Sequence, residues 1–422
     1  MHSDLKIPRD MRALVLDGVG FEHLRVARVA TPRPGSRQML ARVDSAGICT
    51  SLIKLIEQGP AHAFLYGWDP ARWPLILGDE GSVTIVEVGS DLQDAYSPGS
   101  RFVVQPAVDH APVNHRERYL NGAAAVRKVA VGYTLQGHLA EYILVTEEVI
   151  DAGCLIPVPD SELPYAHAAI AEPVSCVISS QDHHVHLSQE TGLSPRSALK
   201  GLKSEGVAVV IGAGAMGRMH VDLAFGYCPR ALIVTDHLAE RLDLVRTAFG
   251  ERAARLGIAL VACSTQEVRD AVADLSERRG ADDVIVAAAS RDAIEAAQEL
   301  VARGGVINLF GGLKQSEALV LVDTSAIHYK EINLTGSSGG SAWDLAHTLE
   351  LMAAGQIDPG MHIARIGDLS HAIELLELVR TRAIEGKAVV YPHRPADEIL
   401  SVASWTARDE QSYLKLTASQ EQ

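Results

Sequence analysis

Val207-Ala-Val-Val-Ile-Gly-Ala-Gly-Ala-Met-Gly217 reads as a buried strand, a tight glycine turn and the start of a helix that continues through Met219 and Leu223. In such a turn Gly212 permits the sharp reversal, Gly214 lets backbone amides approach a pyrophosphate, and Gly217 lets helix and strand pack closely. Ala215 and Met216 open the helix, whose unpaired N–H groups and positive dipole end face the phosphates. The next strand ends at Thr235-Asp236, where a carboxylate accepts hydrogen bonds from a ribose diol and repels a 2′-phosphate. The spacing therefore predicts a dinucleotide site that prefers NAD to NADP. The competing reading is a glycine turn in a Rossmann-like fold with no dinucleotide. Ala288, at the end of a predicted strand, and Gly311-Gly312, after another, fall at the sheet edge where a nicotinamide ring would lie. A plain strand-to-loop turn explains the glycine pair equally well.

Downstream of this turn, strand-like runs at residues 231–235, 258–262, 283–288, 306–310 and 332–335 alternate with amphipathic stretches such as 238–249 and 294–303. Strands alternating with helices imply a doubly wound parallel sheet covered on both faces, an α/β unit. Upstream, to about residue 150, short strand-like runs begin at Arg12, Met39, Ser82 and Arg101, punctuated by Gly18, Gly47, Gly78, Gly89 and Pro98-Gly99. A compact, mostly β unit is written in this way. Residues 138–145 add a further predicted strand, and the pattern turns helical from Tyr165. After Gly340 the chain is helical again and then closes with the strand-like Lys387-Ala-Val-Val-Tyr. That last piece is too small to fold alone and is expected to return and complete the first domain. The expected organisation is thus a catalytic domain at 1–178, a nucleotide domain at 179–336 and a returning segment at 337–422.

Between the two lies a stretch, 181–203, with His183, His184 and His186 among turn-forming residues. Clustered histidines can bind metal, but an exposed polar insertion is the expected reading. The two ends, residues 1–9 and the polar tail after about Thr406, read as loose.

A chain of 422 residues suits two medium domains. It has no apolar run near the roughly 20 residues that span a bilayer, and no leader-like apolar segment at its start. Five scattered cysteines without CxxC spacing suit a reducing, cytoplasmic setting. The formal charge of −15 disfavours nucleic acid and anionic membranes, which leaves a small-molecule substrate.

Several motifs together resemble the medium-chain, zinc-containing alcohol and polyol dehydrogenase family over nearly the whole chain. They are Gly47-Ile-Cys49-Thr-Ser51, Leu77-Gly-Asp-Glu-Gly81, Pro98-Gly-Ser-Arg-Phe-Val-Val, Ala171-Glu-Pro-Val-Ser-Cys176, the glycine turn, and Tyr329-Lys-Glu with Thr335-Gly-Ser. The run from Glu172 looks most like the sorbitol-dehydrogenase branch and its sugar-phosphate-reducing relatives. The resemblance implies a GroES-like catalytic domain beside a Rossmann domain, hydride transfer between NAD(P) and a carbinol carbon, zinc on the oxygen, and a homodimer or homotetramer. Such chemistry needs a Lewis acid with an open position, held by a thiolate and by carboxylates or imidazoles from separate loops.

Two positions depart from the family pattern. Asp79 stands where the family usually has a histidine ligand, and Leu52 where it usually has an aspartate that orients that histidine. Beside a carboxylate at position 79 such an aspartate would only repel, so the two changes read as one event. The resulting expectation is zinc on Cys49, Asp79 and Glu172, with Glu80 able to enter or leave. That donor set is harder and more negative than usual. The competing reading is a lost metal site with Cys49 a buried structural cysteine. The resemblance also places a proton relay at Ser51 and Lys54, where lysine replaces the usual histidine. The four cysteines of the family's second, structural zinc are missing between residues 104 and 132, where His110 and His115 read as surface residues.

The expected substrate is a secondary alcohol or ketone of a polyol, sugar or cyclitol, with phosphorylated forms included. Rival readings are a zinc-free reductase of the same superfamily, an enzyme that retains NAD for transient oxidation in an epimerisation or elimination, and a noncatalytic NAD-binding protein.

Overall fold

The structure is a computed structural model that describes residues 7–314 and 317–418, so residues 1–6 of the predicted loose start lie outside the described residues. It divides into two compact units, Ser175–Gly340 and the combination of Met1–Val174 with Ser341–Gln422.

The unit Ser175–Gly340 is built on a six-stranded parallel sheet. Its strands lie in the order Ala259–Ser264, Ala231–Asp236, Val207–Ile211, Ala281–Val286, Val301–Leu309 and Asn333–Gly336. Numbered along the chain this is 3-2-1-4-5-6, the dinucleotide-binding order in which the crevice opens at the carboxyl ends of the first and fourth strands. The central strand Val207–Ile211 is apolar throughout and all five of its residues are buried, as expected where helices cover both faces, while its neighbour Ala281–Val286 carries Asp282 and Asp283 near its start. In-register pairing of Ile211 with Thr235 and with Val286 brings Gly212, Asp236 and Ala287 to one edge.

Two local expectations are corrected here. The helix expected at 294–303 runs from Arg291 to Leu300, started by the Ser290 side chain accepting from Ala293 N. It stops there because Val301 turns extended and pairs with Ala281, so residues 301–303 belong to the next strand. The histidine stretch is not a uniformly exposed insertion. It forms an antiparallel hairpin, Val185–Ser188 with Ser197–Lys200, and while His183 is exposed, His184 and His186 are buried against Asp283. His184 just precedes the strand that carries His186, and the buried carboxylate both rings meet lies far along the chain.

The other unit is mostly β. Eight strands form one sheet, in which Lys387–Val390 pairs antiparallel with Met39–Ile48 and so closes the early part of the chain with the late one. A three-stranded sheet of Leu24–Ala30, Asp10–Leu16 and Leu75–Ile76 packs with it. The core gathers Leu14, Leu16, Met39, Val43, Ile48, Leu52, Leu55, Val83 and Ile143. Of the strand expected at 138–145 only Tyr142–Val145 forms. The preceding residues instead hydrogen-bond the loop before the site, His138 N to Gly78 O and Leu139 N to Leu77 O.

Of the tail after Thr406, residues 419–422 lie outside the described residues, and the remainder is not loose. It forms a helix, Ala407–Ala418, whose Glu410 carboxylate accepts from Tyr165 N at 2.8 Å, Ala166 N at 2.9 Å and the Tyr391 hydroxyl at 2.7 Å. Trp405, Tyr413 and Leu414 pack beside Ile363, Val389 and Tyr391, so this polar-looking segment carries one apolar stripe that local composition conceals.

Candidate active site

The strand Met39–Ile48 runs straight into the short loop that carries Cys49, after which the helix Ser51–Gln58 begins. Its antiparallel neighbour, Glu80–Val88, starts directly opposite, with Glu80 paired to Gly47. A Cβ at position 47 would run into Glu80 Oε2, so glycine there is what lets the glutamate lie across the strand toward Cys49. The ligand atoms of Cys49, Asp79 and Glu80 lie within 4.8 Å of one another. Glu172, in the first turn of the helix Ala171–Asp182, is also buried, and its charge bears on the Cys49 thiol.

This is a dense knot of anionic groups in a place with little water. Burial, and then the Glu80 charge, raise the Asp79 carboxyl to about 6. Burial, followed by the charges of Asp79 and Glu80, pushes the Cys49 thiol well above its usual range. One cation offsets them. Lys387, on the closing strand, is buried and places Nζ 2.5 Å from Glu80 Oε1 and 3.3 Å from Ile48 O. Desolvation works against the ammonium there, but the Glu80 charge and then Cys49 outweigh it, so its proton is held more tightly than in water.

Two atoms are left over. Asp79 Oδ1 and Glu80 Oε2 are buried carboxylate oxygens with no hydrogen-bond partner among the described residues. Leaving such atoms unpaired is costly, and a dication beside a thiolate pairs both at once and reverses the upward pressure on the thiol. The donor chemistry therefore fits a zinc-type ion with sulfur and oxygen ligands.

Ser51 Oγ donates to Asp79 Oδ2 at 2.5 Å, and Ser51 N points at Cys49 Sγ at 3.5 Å. The Tyr133 hydroxyl bonds Ser51 in turn, and its ring packs on His62 with 5.4 Å between centroids. Lys54, on the same helix, is exposed; burial first, and then the Lys54 charge, depress the protonation of His62. Leu52 is fully buried in the apolar core.

The nucleotide turn is assembled as its sequence reads. Gly212 has φ of 104°, and a Cβ on Gly217 would collide with the Gly212 carbonyl, so the first and third glycines fit against each other. Gly214 caps the helix Ala215–Ala224, which Met216 and Gly217 continue. Asp236 accepts from Ala213 N at 2.8 Å and Leu238 N at 2.9 Å, which fixes its carboxylate beside the turn. Arg241 stands 3.7 Å from that carboxylate. Gly311 abuts the Ala288 backbone at the end of the neighbouring strand, while Gly312 is exposed just beyond it.

Sequence reading missed Lys387, Tyr133, His62 and Arg241. Of these only Arg241 left a local signal, a cation one helical turn after the acidic end of a strand.

Comparison with known proteins matches residues 35–160 to the alcohol dehydrogenase GroES-like domain and residues 215–354 to the zinc-binding dehydrogenase domain. The chain is 31% identical over 399 residues to mannitol-1-phosphate 5-dehydrogenase of Aliivibrio fischeri, covering 92% of this chain and 89% of that protein. It is 27% identical to L-sorbose 1-phosphate reductase of Klebsiella pneumoniae, covering 90% and 89% of the two. Its fold matches that of 2R,3R-butanediol dehydrogenase of Bacillus subtilis with a TM-score of 0.70 at 19% identity, over 91% of this chain and all of that one.

Proposed function

The chain belongs to the zinc-type medium-chain alcohol and polyol dehydrogenases, and from that footing we propose that it interconverts a secondary alcohol and a ketone on a phosphorylated sugar alcohol, using NAD and a zinc ion. The observation that carries the metal is the pair of unpartnered buried oxygens, Asp79 Oδ1 and Glu80 Oε2, beside Cys49. Cys49, Asp79 and Glu172 would hold the ion, with Glu80 exchanging between it and Lys387. When bound, zinc polarises the alcohol oxygen and makes its alkoxide accessible near neutral pH.

The protein's own residues supply the remainder. Ser51 Oγ receives the substrate hydroxyl proton as its own hydrogen moves onto Asp79 Oδ2, to which it already donates, while the Tyr133 hydroxyl bonds Ser51 and holds it in place. Lys387 keeps the acidic knot near electrical balance. Asp236 holds the adenosine ribose of NAD, and Ala215, Met216 and Gly217 present helix N–H groups to the pyrophosphate.

The phosphorylated substrate is supported by the two relatives, one named for a hexitol phosphate and the other for a ketose phosphate. No helix among the described residues is long and apolar enough to cross a membrane, and all five cysteines are free, which suits a cytoplasmic enzyme. A homodimer or homotetramer would add the edge strand Asn333–Gly336 to a second copy; Leu334 on it and Tyr329 just before it are exposed.

Polyols, ketose phosphates, hexitol phosphates and cyclitols, screened by NADH absorbance with and without chelator, test the reading. Turnover of a phosphorylated polyol or ketose, lost on chelation and in Cys49→Ala together with one equivalent of metal, is expected. Turnover that survives metal removal, or wild-type protein without stoichiometric metal, overturns it.

A further inference from the structure

A second group of metal-ligating side chains lies wholly within the unit Ser175–Gly340, and the dehydrogenase reaction makes no use of it. His184 Nδ1 and His186 Nε2 stand 2.6 Å and 2.8 Å from the same oxygen, Oδ1 of Asp283. All three side chains are buried, with His186 the most exposed at 7%. The other Asp283 oxygen accepts from Lys203 N at 2.8 Å, which fixes the carboxylate plane and leaves Oδ1 aimed at the two rings. Burial alone would raise this carboxyl, yet the hydrogen bonds from His184 and His186 bring it down to about 2, so the carboxylate is ionised.

One imidazole and the Lys203 amide would satisfy a buried aspartate. The second ring adds another polar group to a closed place and brings it to the same oxygen. Two imidazoles, His184 just before the strand Val185–Ser188 and His186 on it, meet one oriented carboxylate and form a three-point N,N,O set. We propose that His184, His186 and Asp283 are a second metal site, for a borderline dication such as zinc, that staples the hairpin Val185–Ser188/Ser197–Lys200 to the parallel sheet.

The hairpin needs such a staple. An isolated pair of short strands is marginal in water, and here Leu187, Leu193 and Leu199 are exposed rather than buried. The donors select the ion: magnesium and calcium want oxygen alone, and copper(I) wants sulfur. With ligands about 2.0–2.1 Å from zinc, the two N···O contacts open by roughly half an ångström, a small rotation of side chains at the start of a hairpin. Ligation through Nδ1 moves the His184 proton to Nε2, a buried atom with no partner among the described residues, close enough to buried His220 for the two charges to oppose each other. Two metal–nitrogen bonds must outweigh that cost.

Cobalt(II) titration of the chelator-stripped full chain tests the proposal, because sulfur ligation gives an intense charge-transfer band that nitrogen and oxygen ligation lacks. Cys49→Ser is expected to lose the sulfur band and still bind one equivalent with weaker visible bands. His186→Gln is expected to keep the sulfur band and lose that equivalent, with Asp283→Asn matching it where the variant folds. In the wild type, zinc should slow protease cleavage of the hairpin near Leu193 several-fold. Stripped Cys49→Ser protein that binds no cobalt, or His186→Gln with unchanged uptake, overturns the second site. A wild type without the sulfur band overturns the zinc of the dehydrogenase site and leaves this one standing.

Discussion

Lys387 Nζ lies 2.5 Å from Glu80 Oε1, and both side chains are buried. Its ammonium offsets the acidic groups around it, so removing it leaves the charges of Asp79 and Glu80 beside Cys49 uncompensated. Breaking one side of a buried ion pair costs about 3–5 kcal/mol. Lys387→Met is therefore expected to lower the melting temperature sharply in metal-free protein, by much less when metal is present, and to depress kcat/KM. Adding Glu80→Gln should return most of the metal-free stability. A double-mutant cycle by thermal denaturation checks this, and additive losses would show that the two residues act separately.

Ser51 bonds one oxygen of Asp79 and leaves the other bare. With its carboxyl raised to about 6, above the usual aspartate range, Asp79 binds a proton more readily in the folded state than in the unfolded one. Its ionisation thus costs stability that is lost as pH rises from about 4 to about 6 and stays lost above, on the order of 1–3 kcal/mol in metal-free protein. Asp79→Asn should remove that cost and raise the metal-free melting temperature at pH 7. The same change should weaken zinc binding by at least about tenfold. Opposite signs in the two measurements are the expected signature; a drop in both would assign Asp79 to packing alone.

Asp236 holds the glycine turn through Ala213 N, and the proposed function gives it the adenosine ribose of NAD. Asp236→Ser removes a charged acceptor, and such hydrogen bonds are each worth about 1.5–3 kcal/mol. KM for NAD should rise about tenfold or more, and NADP should gain relative to NAD because the repulsive carboxylate has gone while Arg241 remains beside it. Initial rates with both cofactors decide; an unchanged NADP/NAD ratio would remove Asp236 as the discriminating residue.

What the sequence revealed follows the range over which its signals act. The turn from Gly212 to Gly217 and the acid at Asp236 are local, because strand, turn and helix N-terminus occupy consecutive residues and each glycine answers a backbone requirement. Cys49, Asp79 and Glu80 were legible through their motifs, since each sits where a strand meets a loop. Lys387 was not, because its partner is 307 residues away and a lone lysine in Lys387-Ala-Val-Val looks like an ordinary strand end. Separations of 99 and 97 residues hid Asp283 from His184 and His186, and one of 245 hid Tyr165 from Glu410. In each case a residue that reads as solvated polarity within a window is buried by a partner from another part of the chain.

Glu148 shows what holds the lobe that lacks the family's structural cysteines. Its buried carboxylate accepts from Val113 N at 2.7 Å and Asn114 N at 3.0 Å, and the Asn114 amide reaches both Glu147 and Glu148. Beyond it Trp68 packs edge-on to Tyr119, and Arg118 lies over Trp68 and Trp73. Burial pushes the Glu148 carboxyl up, but hydrogen bonds from Thr146 and from the backbone at Asn114 and Val113 win and hold it below its usual value. Its stabilisation is therefore complete above the unfolded pKa of about 4.3 and is lost as pH falls through the lower folded value. Glu148→Gln keeps one acceptor but turns an amide N–H₂ toward donors, at a cost of about 1–3 kcal/mol. The expected result is a lower melting temperature at pH 7, a gap from wild type that narrows toward pH 3, and faster amide hydrogen exchange confined to residues 109–128. Exchange that rises evenly across the chain would mean that Glu148 supports the whole unit rather than this lobe.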